Sequence, residues 1–382
     1  MTSLRVNKAL DGSPFESVLA GEREMLGEST FKRLIAVERK RTERSKEPFL
    51  LMLLEAGSRQ VSRGNGTALD KLADALLSSS RETDVIGWYK DRTTVGVMFT
   101  GLVVNDKSAV LNTILSRVKA MLRNELSYDQ LDQVTISFHF FPDDWDKDDP
   151  GRPSNPALYP DLMTPGNRRK TLLVVKRAID IAGSALALAL CAPLFVAIAA
   201  AIKMTSKGPV LFRQQRVGQY GQCFTFLKFR SMHVGNDHTV HQKFVTALIK
   251  SEADGEPANA RGEQIYKIKN DKRITRAGSF LRRTSLDELP QLLNVLRGEM
   301  SLVGPRPAIP YELAAYQTWH RRRILEAKPG ITGLWQVAGR SRVRFDDMVR
   351  MDLRYATSWS PWLDIKILMQ TPLAVIRGKG AY

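Results

Sequence analysis

Cysteine is nearly absent. The 382-residue chain holds two, Cys191 and Cys223, which excludes a disulfide framework and a zinc-ligand cluster and fits a reducing cytosol. Acidic residues are too few to balance the basic ones: 40 Asp and Glu stand against 57 Lys and Arg, for a formal net charge of +17 and a pI near 9.9. Such an excess attracts nucleic acid, an anionic leaflet or phosphate-rich substrates, and composition does not choose among them. No nucleic-acid-binding motif accompanies the charge, so nucleic acid is not an expected partner. The opening MTSLRVNKALDGSPFE has no apolar core of signal-peptide length, and export is not expected. Long hydrophobic runs are also lacking, with one exception.

That exception is Ile181 to Ile202, IAGSALALALCAPLFVAIAAAI. At about 1.5 Å per residue it could just cross a hydrocarbon core of roughly 30 Å. Two features argue against a plain span. Pro193 lacks an N–H and clashes with the carbonyl four residues back, which favours a kink or break where the midplane would fall. Basic residues flank both ends, Lys170, Lys176 and Arg177 before and Lys203, Lys207 and Arg213 after, and the positive-inside tendency places both ends on the cytoplasmic face. The sequence therefore predicts a re-entrant helix over about 178–203, broken at Pro193, that enters and leaves by one leaflet. A buried core helix of this length would usually show a polar face, which this run lacks.

The chain is long enough for two domains. Residues 1–145 read as an α/β-like, helix-covered sheet: helices over Phe31–Arg44, Ala68–Ser79 and Val110–Leu122, and strands over Phe49–Glu55, Thr94–Phe99 and Val134–Phe141. Residues 146–170 are rich in Pro, Gly, Asp and Asn, lack apolar periodicity and read as a linker. Residues 171–382 read as a mainly helical catalytic domain around the anchor, giving an α/β (α+β) class overall.

The N-terminal part weakly resembles a degenerate diguanylate cyclase-type (GGDEF) domain through Arg81-Glu-Thr-Asp84, the following VIGWY, and Lys90-Asp-Arg-Thr-Thr94. In that family an Arg-x-x-Asp pair upstream of the signature hairpin binds cyclic di-GMP, so the resemblance implies Arg81 and Asp84 as a nucleotide-sensing pair. KDRTT lacks the glycines and acidic ligands of the signature, so cyclase activity is not expected. The competing reading makes Asp84 a local turn contact and Arg81 a solvated charge. Either way, a regulatory, scaffolding or dimerising domain is expected.

Beyond the anchor, Phe224, Phe226 and Phe229 alternate with Lys228 and Arg230, a strand-like pattern that holds cations where phosphates could meet them, or simply in solvent. Leu281-Arg-Arg-Thr-Ser-Leu-Asp-Glu-Leu-Pro-Gln291 then leads into Leu292, Leu293, Val295 and Leu296. Ser285-x-x-Glu288 has the form of a capping box. A helix start nearer Asp287 instead places Pro290 in the tolerant first turn and Asp287 beside anion-binding N–H groups. A carboxylate attacking a phosphoryl group must overcome anion–anion repulsion, which a divalent metal and nearby cations can offset. Arg282 and Arg283 precede the acidic pair, and Pro305 and Pro307 stiffen a turn that presents Arg306.

Together KRAID (176–180), the proline-broken run, GPVLFRQQRVG (208–218), FLKFRSM (226–232), LRRTSLDELPQLLNVLRGEMSLVGPRP (281–307) and KPGITGLWQVAGR (328–340) resemble the bacterial sugar transferases, monotopic polyprenyl-phosphate phosphoglycosyl transferases. The resemblance implies transfer of a sugar 1-phosphate from a UDP-sugar to polyprenyl (undecaprenyl) phosphate with release of UMP, at the cytoplasmic face of a bacterial inner membrane. It implies Asp287 as nucleophile of a covalent acyl phosphate and Glu288 as its acidic partner in metal binding and acceptor activation. Mg2+ is implied on the diphosphate, held through Asp287 and Glu288. Lys228, Arg230, Arg282, Arg283 and Arg306 match basic positions for phosphates or uridine. Two departures stand out: Cys191-Ala192 precedes Pro193 where many relatives have a small hydroxyl residue, and this N-terminal domain is a different attachment from the transmembrane helices of larger members. The Gly380-Ala-Tyr382 ending resembles members that start exopolysaccharides, which favours UDP-glucose or UDP-galactose. Trp359 and Trp362, with the apolar sequence to Ile376, suit a helix lying at the membrane interface or one packed in the core. A homodimer is expected from the symmetric surfaces such domains offer. The rival reading is a catalytically inactive, membrane-tethered cyclic di-GMP receptor, against which the intact Asp287-Glu288 pair and its cations speak.

Overall fold

The structure is a computed structural model that describes residues 24–56, 67–102, 106–125, 134–143, 155–163, 167–234, 242, 246, 249, 273–338 and 343–376. The rest of the expected linker, Gly339 and Arg340 of the last motif, and the Gly-Ala-Tyr ending lie outside the described residues. The chain divides into two compact units, residues 1–143 with 155–163, and residues 144–154 with 164–382.

In the first unit, helices α1 (Glu28–Ser45), α2 (Thr67–Ser79) and α3 (Lys107–Glu125) cover a sheet of β1 (Phe49–Ala56), β2 (Val85–Lys90), β3 (Thr94–Phe99) and β4 (Val134–Phe141). The strand order is β2-β3-β1-β4 and every pairing is antiparallel, with Leu50 opposite Phe99 and Leu51 opposite His139. Helices alternating with strands suggested an α/β unit; the antiparallel pairing makes it α+β. β1 is central and buried on both faces, which explains its unbroken apolar run from Phe49 to Leu54. Leu72, Leu76, Val95, Val97 and Leu122 complete one core layer. On the other face Gly87 pairs with Gly96, and a β-carbon at Gly96 would come within 2.3 Å of the Phe31 ring. β2 has no counterpart among the strands read from sequence.

Residues 155–163, read from sequence as linker, fold onto this unit through a 3-10 turn (Pro156–Leu158) and a short helix, α4 (Pro160–Met163). Leu158 and Tyr159 are buried, the Arg39 guanidinium lies 4.5 Å from the Tyr159 ring centre, and Arg39 also pairs with Asp161. Two apolar side chains are enough to dock a segment too short to show a period.

The second unit begins with α5 (Asn167–Thr205), 39 residues long. The helix continues through Pro193 and is not broken into two pieces there. One side of α5 packs on the rest of the unit: Lys176 donates to Asp364 (2.6 Å), Val303 O and Tyr355 Oη, Arg177 donates to Val295 O and Leu296 O, and Asp180 accepts from Ser301 Oγ and Leu302 N. Towards its other end Ile198 and Ile202 pack with Phe229 and Leu281. The opposite side is apolar and exposed at Val174, Leu186, Leu190 and Val196. The Arg169–Thr205 stretch is long and apolar enough to cross a membrane.

Then follow an antiparallel pair, β5 (Leu211–Val217) and β6 (Cys223–Phe229), and helices α6 (Arg276–Thr284) and α7 (Gln291–Arg297). β7 (Ser301–Val303) lies parallel to β8 (Gly330–Thr332), with α8 (Pro310–Leu313) and α9 (Thr318–Glu326) between them in sequence. α10 (Leu334–Ala338), α11 (Phe345–Ser358) and α12 (Pro361–Ile376) close the unit. α12 buries Asp364 and Ile367 and exposes Trp362, Ile365, Met369, Leu373 and Ile376 at helical spacing.

Candidate active site

Asp287 sits in a 3-10 turn, Leu286–Glu288, wedged between α6 and α7. Thr275 caps α6 through its side chain, and α6 ends at Ser285, whose φ of 57° is left-handed. The Ser285 side chain makes no cap bond, so the capping-box reading is not realised; Pro290 is the N-cap of α7, just outside the helix where its missing N–H costs nothing. The turn buries Asp287 to 8% exposure.

A cleft of about 2060 Å³ opens at this turn. Lys228, Arg282, Asp287, Glu288 and Arg306 line it. Burial lowers the Lys228 ammonium to about 8, and Arg216, Arg282 and Arg306 push the same way, while the Asp287 charge opposes them. Four cations and one carboxylate therefore share one electrostatic neighbourhood. Arg306 Nη1 lies 3.4 Å from Glu288 Oε1. The same cleft is also lined by Ala187 of α5, Leu286 and Leu289, and by Pro372, Val375 and Ile376 of α12, so cationic and apolar side chains share one lining.

Of the predicted phosphate binders, Arg230 lines the cleft with the others but spends its guanidinium largely on main-chain partners, and Arg283 does not line it. Arg230 is buried, with Nη1 donating to Lys207 O (2.8 Å) and Nη2 to Ser206 O (2.9 Å) and Ser206 Oγ (2.8 Å). It holds the turn that leaves α5, and its guanidinium approaches Gly208 so closely that a β-carbon there would lie 2.1 Å from Nη1. Arg283 is exposed and is not among the residues lining the cleft.

Conversely, two arginines absent from the predicted set also line the cleft and hold the Pro305-Arg306-Pro307 turn. Arg216 donates to Pro307 O (2.9 Å) and lies 5.1 Å from the Phe226 ring. Arg323 donates to Arg306 O (2.7 Å) and pairs with buried Asp352 at 2.9 Å. Burial pushes the Asp352 carboxyl up to about 6 although Arg323 pulls it back. Arg216 was legible only as part of RQQRVG, and Arg323 only as one member of Arg321-Arg322-Arg323.

Among the described residues no cluster of three or more His, Cys, Asp or Glu could hold a metal. Asp287 and Glu288 supply oxygen donors only, a set that suits Mg2+ completed by substrate phosphates and water. In the first unit, the Asp84 carboxylate accepts from Arg81 N (2.9 Å) and Arg81 is exposed, the geometry of the local-turn reading.

Among known proteins, undecaprenyl-phosphate galactose phosphotransferase of Salmonella typhimurium is 44% identical over 209 residues, 54% of this chain and 42% of that protein. The exopolysaccharide production protein ExoY of Rhizobium meliloti is 40% identical over 209 residues, 55% of this chain and 88% of that protein. The UDP-glucose:undecaprenyl-phosphate glucose-1-phosphate transferase of Xanthomonas campestris is 41% identical over 236 residues, 58% of this chain and 43% of that protein. The chain thus spans less than half the length of the larger relatives. Among solved structures, a DGC protein from Thermotoga maritima matches 32% of this chain and 85% of that chain at 18% identity, and its TM-score of 0.25 carries no argument about the first unit. The sequence pattern described as bacterial sugar transferase matches residues 171–378, more than half of the 382, and the chain belongs to that family.

Proposed function

We propose that the protein transfers a hexose 1-phosphate from a UDP-sugar to polyprenyl phosphate, releasing UMP, through a covalent intermediate on Asp287. The observation that carries this is the buried Asp287 carboxylate sharing a cleft with Lys228, with which it interacts electrostatically, and with Arg282, Arg306 and Glu288. A carboxylate oxygen attacks the sugar-bearing phosphorus, the bond to the bridging oxygen breaks, and UMP leaves with that oxygen. Lys228, Arg282 and Arg306 lower the repulsion between the carboxylate and the diphosphate and stabilise the leaving phosphate. A phosphate oxygen of the polyprenyl acceptor then attacks the same phosphorus, the acyl phosphate bond breaks, and the Asp287 carboxylate is restored. Glu288, which lines the same cleft, would take a proton from the acceptor phosphate. Asp287 and Glu288 would hold Mg2+, which supplies Lewis-acid neutralisation of the diphosphate. The relatives' names, one for galactose and one for glucose, suggest UDP-galactose or UDP-glucose as donor and exopolysaccharide initiation as the setting.

The acceptor chemistry suits this mixed lining: an isoprenoid chain would lie on the apolar residues of α5 and α12 while its phosphate reaches the cations. We place α5 re-entrantly in the cytoplasmic leaflet of a bacterial inner membrane. A domain in water on one side cannot touch both ends of a helix that crosses the bilayer, yet here both Lys176-Arg177 and Ile198-Ile202 pack on the same unit. Removal of the Pro193 hydrogen bond to Ala189 O would let a continuous helix bend between those ends. Two further expectations, a homodimer and cyclic di-GMP as a ligand of the first unit, are independent of this chemistry.

The test is UMP release by detergent-purified protein given polyprenyl phosphate, Mg2+ and a panel of UDP-sugars. Release with one or two sugars, falling by roughly 10³-fold or more in Asp287→Asn as expected when a covalent route is lost, supports the reading. Turnover that survives in Asp287→Asn overturns the covalent step.

A further inference from the structure

The free edge of β6 carries an unusual partner. In an antiparallel pair alternate residues turn their N–H and C=O groups away from the neighbouring strand. On that side of β6, Leu227 N–H donates to Asn294 Oδ1 (3.1 Å) and Thr225 O accepts from Asn294 Nδ2 (2.8 Å). The Asn294 carboxamide therefore completes the edge as one residue of a third strand would. Its second amide hydrogen goes to Glu299 Oε2 at 2.6 Å, and the main-chain carbonyl of Asn294 accepts from Glu299 N and Met300 N. Asn294 is 0% exposed and its side-chain hydrogen-bonding capacity is largely used.

Asn294 lies on α7, seven residues after Asp287, and Leu227 is the residue before Lys228. Two hydrogen bonds to two residues of one strand fix both separation and register, whereas apolar packing between α7 and β6, such as Val295 with Phe224 and Phe226, fixes separation alone. We infer that Asn294 is a positioning residue that sets Lys228 against Asp287, and this rests on the activity proposed above. The side chain touches neither substrate nor reacting atoms; it acts through the strand that bears the lysine.

A double-mutant cycle tests this, with kcat/KM for UMP release measured in wild type, Asn294→Ala, Lys228→Ala and the double variant, each checked by thermal melting. If Asn294 acts through Lys228, Asn294→Ala lowers kcat/KM by roughly 10-fold or more, since a 1 Å misplacement can cost about 10²-fold. In the Lys228→Ala background the same change adds almost nothing. Losses that multiply across the cycle overturn the inference. Should Asn294→Ala not fold, Asn294→Asp serves in the same cycle, because it keeps the acceptor for Leu227 N–H and loses the donor to Thr225 O. Absence of UMP release by wild type would instead strike at the proposed activity, so the two failures are distinct.

Discussion

Lys228 is a residue of the cleft whose charge state responds to pH. Its ammonium, ordinarily near 10.5, is lowered to about 8 by burial and by Arg216, Arg282 and Arg306, with Asp287 opposing. A reaction that needs it charged should lose kcat/KM as pH rises through about 8. Stability moves the other way: between about 8 and 10.5 the unfolded chain binds this proton and the folded one does not, so Lys228's contribution to stability rises with pH. An alkaline fall in rate with no matching fall in melting temperature, and no such limb in Lys228→Arg, is the expected result. Arg230 and Arg306 form a second contrast. Arg306→Ala should lower kcat/KM roughly 10- to 100-fold, the loss of a charge-assisted bond of about 1.5–3 kcal/mol. Arg230→Ala should lower stability by about 1–3 kcal/mol by freeing the Ser206 and Lys207 carbonyls, and leave KM for the nucleotide sugar near wild type. Both arginines line the cleft, and sequence alone does not tell which of them spends its donors on backbone carbonyls.

Elements were legible where their signals are local. Val134–Phe141 alternates and forms a strand over the same residues, and the apolar stretch after Trp359 forms α12. What escaped depends on contacts distant in sequence: the antiparallel pairing of β1 with β3 and β4, the docking of Leu158 and Tyr159, and the grip of Arg216 and Arg323 on the 305–307 turn. α12 answers the choice between interface and core with both, burying Asp364 and Ile367 and exposing a stripe that includes Ile365 and Met369. Those two side chains are absent from the cleft wall. If the stripe rests in lipid, replacing both with Glu should lower turnover of polyprenyl phosphate in vesicles by roughly 10-fold, since exposing an apolar side chain to water costs about 1.5–3 kcal/mol. Turnover in detergent micelles and the melting temperature should hold. Equal loss in vesicles and micelles would place the stripe outside the membrane.

At the scale of the whole molecule the +17 charge has an internal use as well as an external one. Arg216, Arg230, Arg323, Lys176 and Arg177 are engaged with carbonyls and carboxylates of the second unit, so the net charge overstates the basic surface offered to a partner. The Asp287-Glu288 pair and Arg306 could be read from motifs, while their assembly with Lys228 depends on how separate motifs cross. One tight crossing is that of residues 304–305 with 328–333: Gly304 N donates to Thr332 O, Gly330 N donates to Pro305 O, and a β-carbon at Gly304, Gly330 or Gly333 would fall 2.0–2.4 Å from backbone of the other segment. The two stretches behave as one interlocked part, like a dovetail cut in two boards. A hybrid enzyme that borrowed one stretch from a homologue with any side chain at these three positions would have to borrow the other with it, or swing Arg306 away from the cleft.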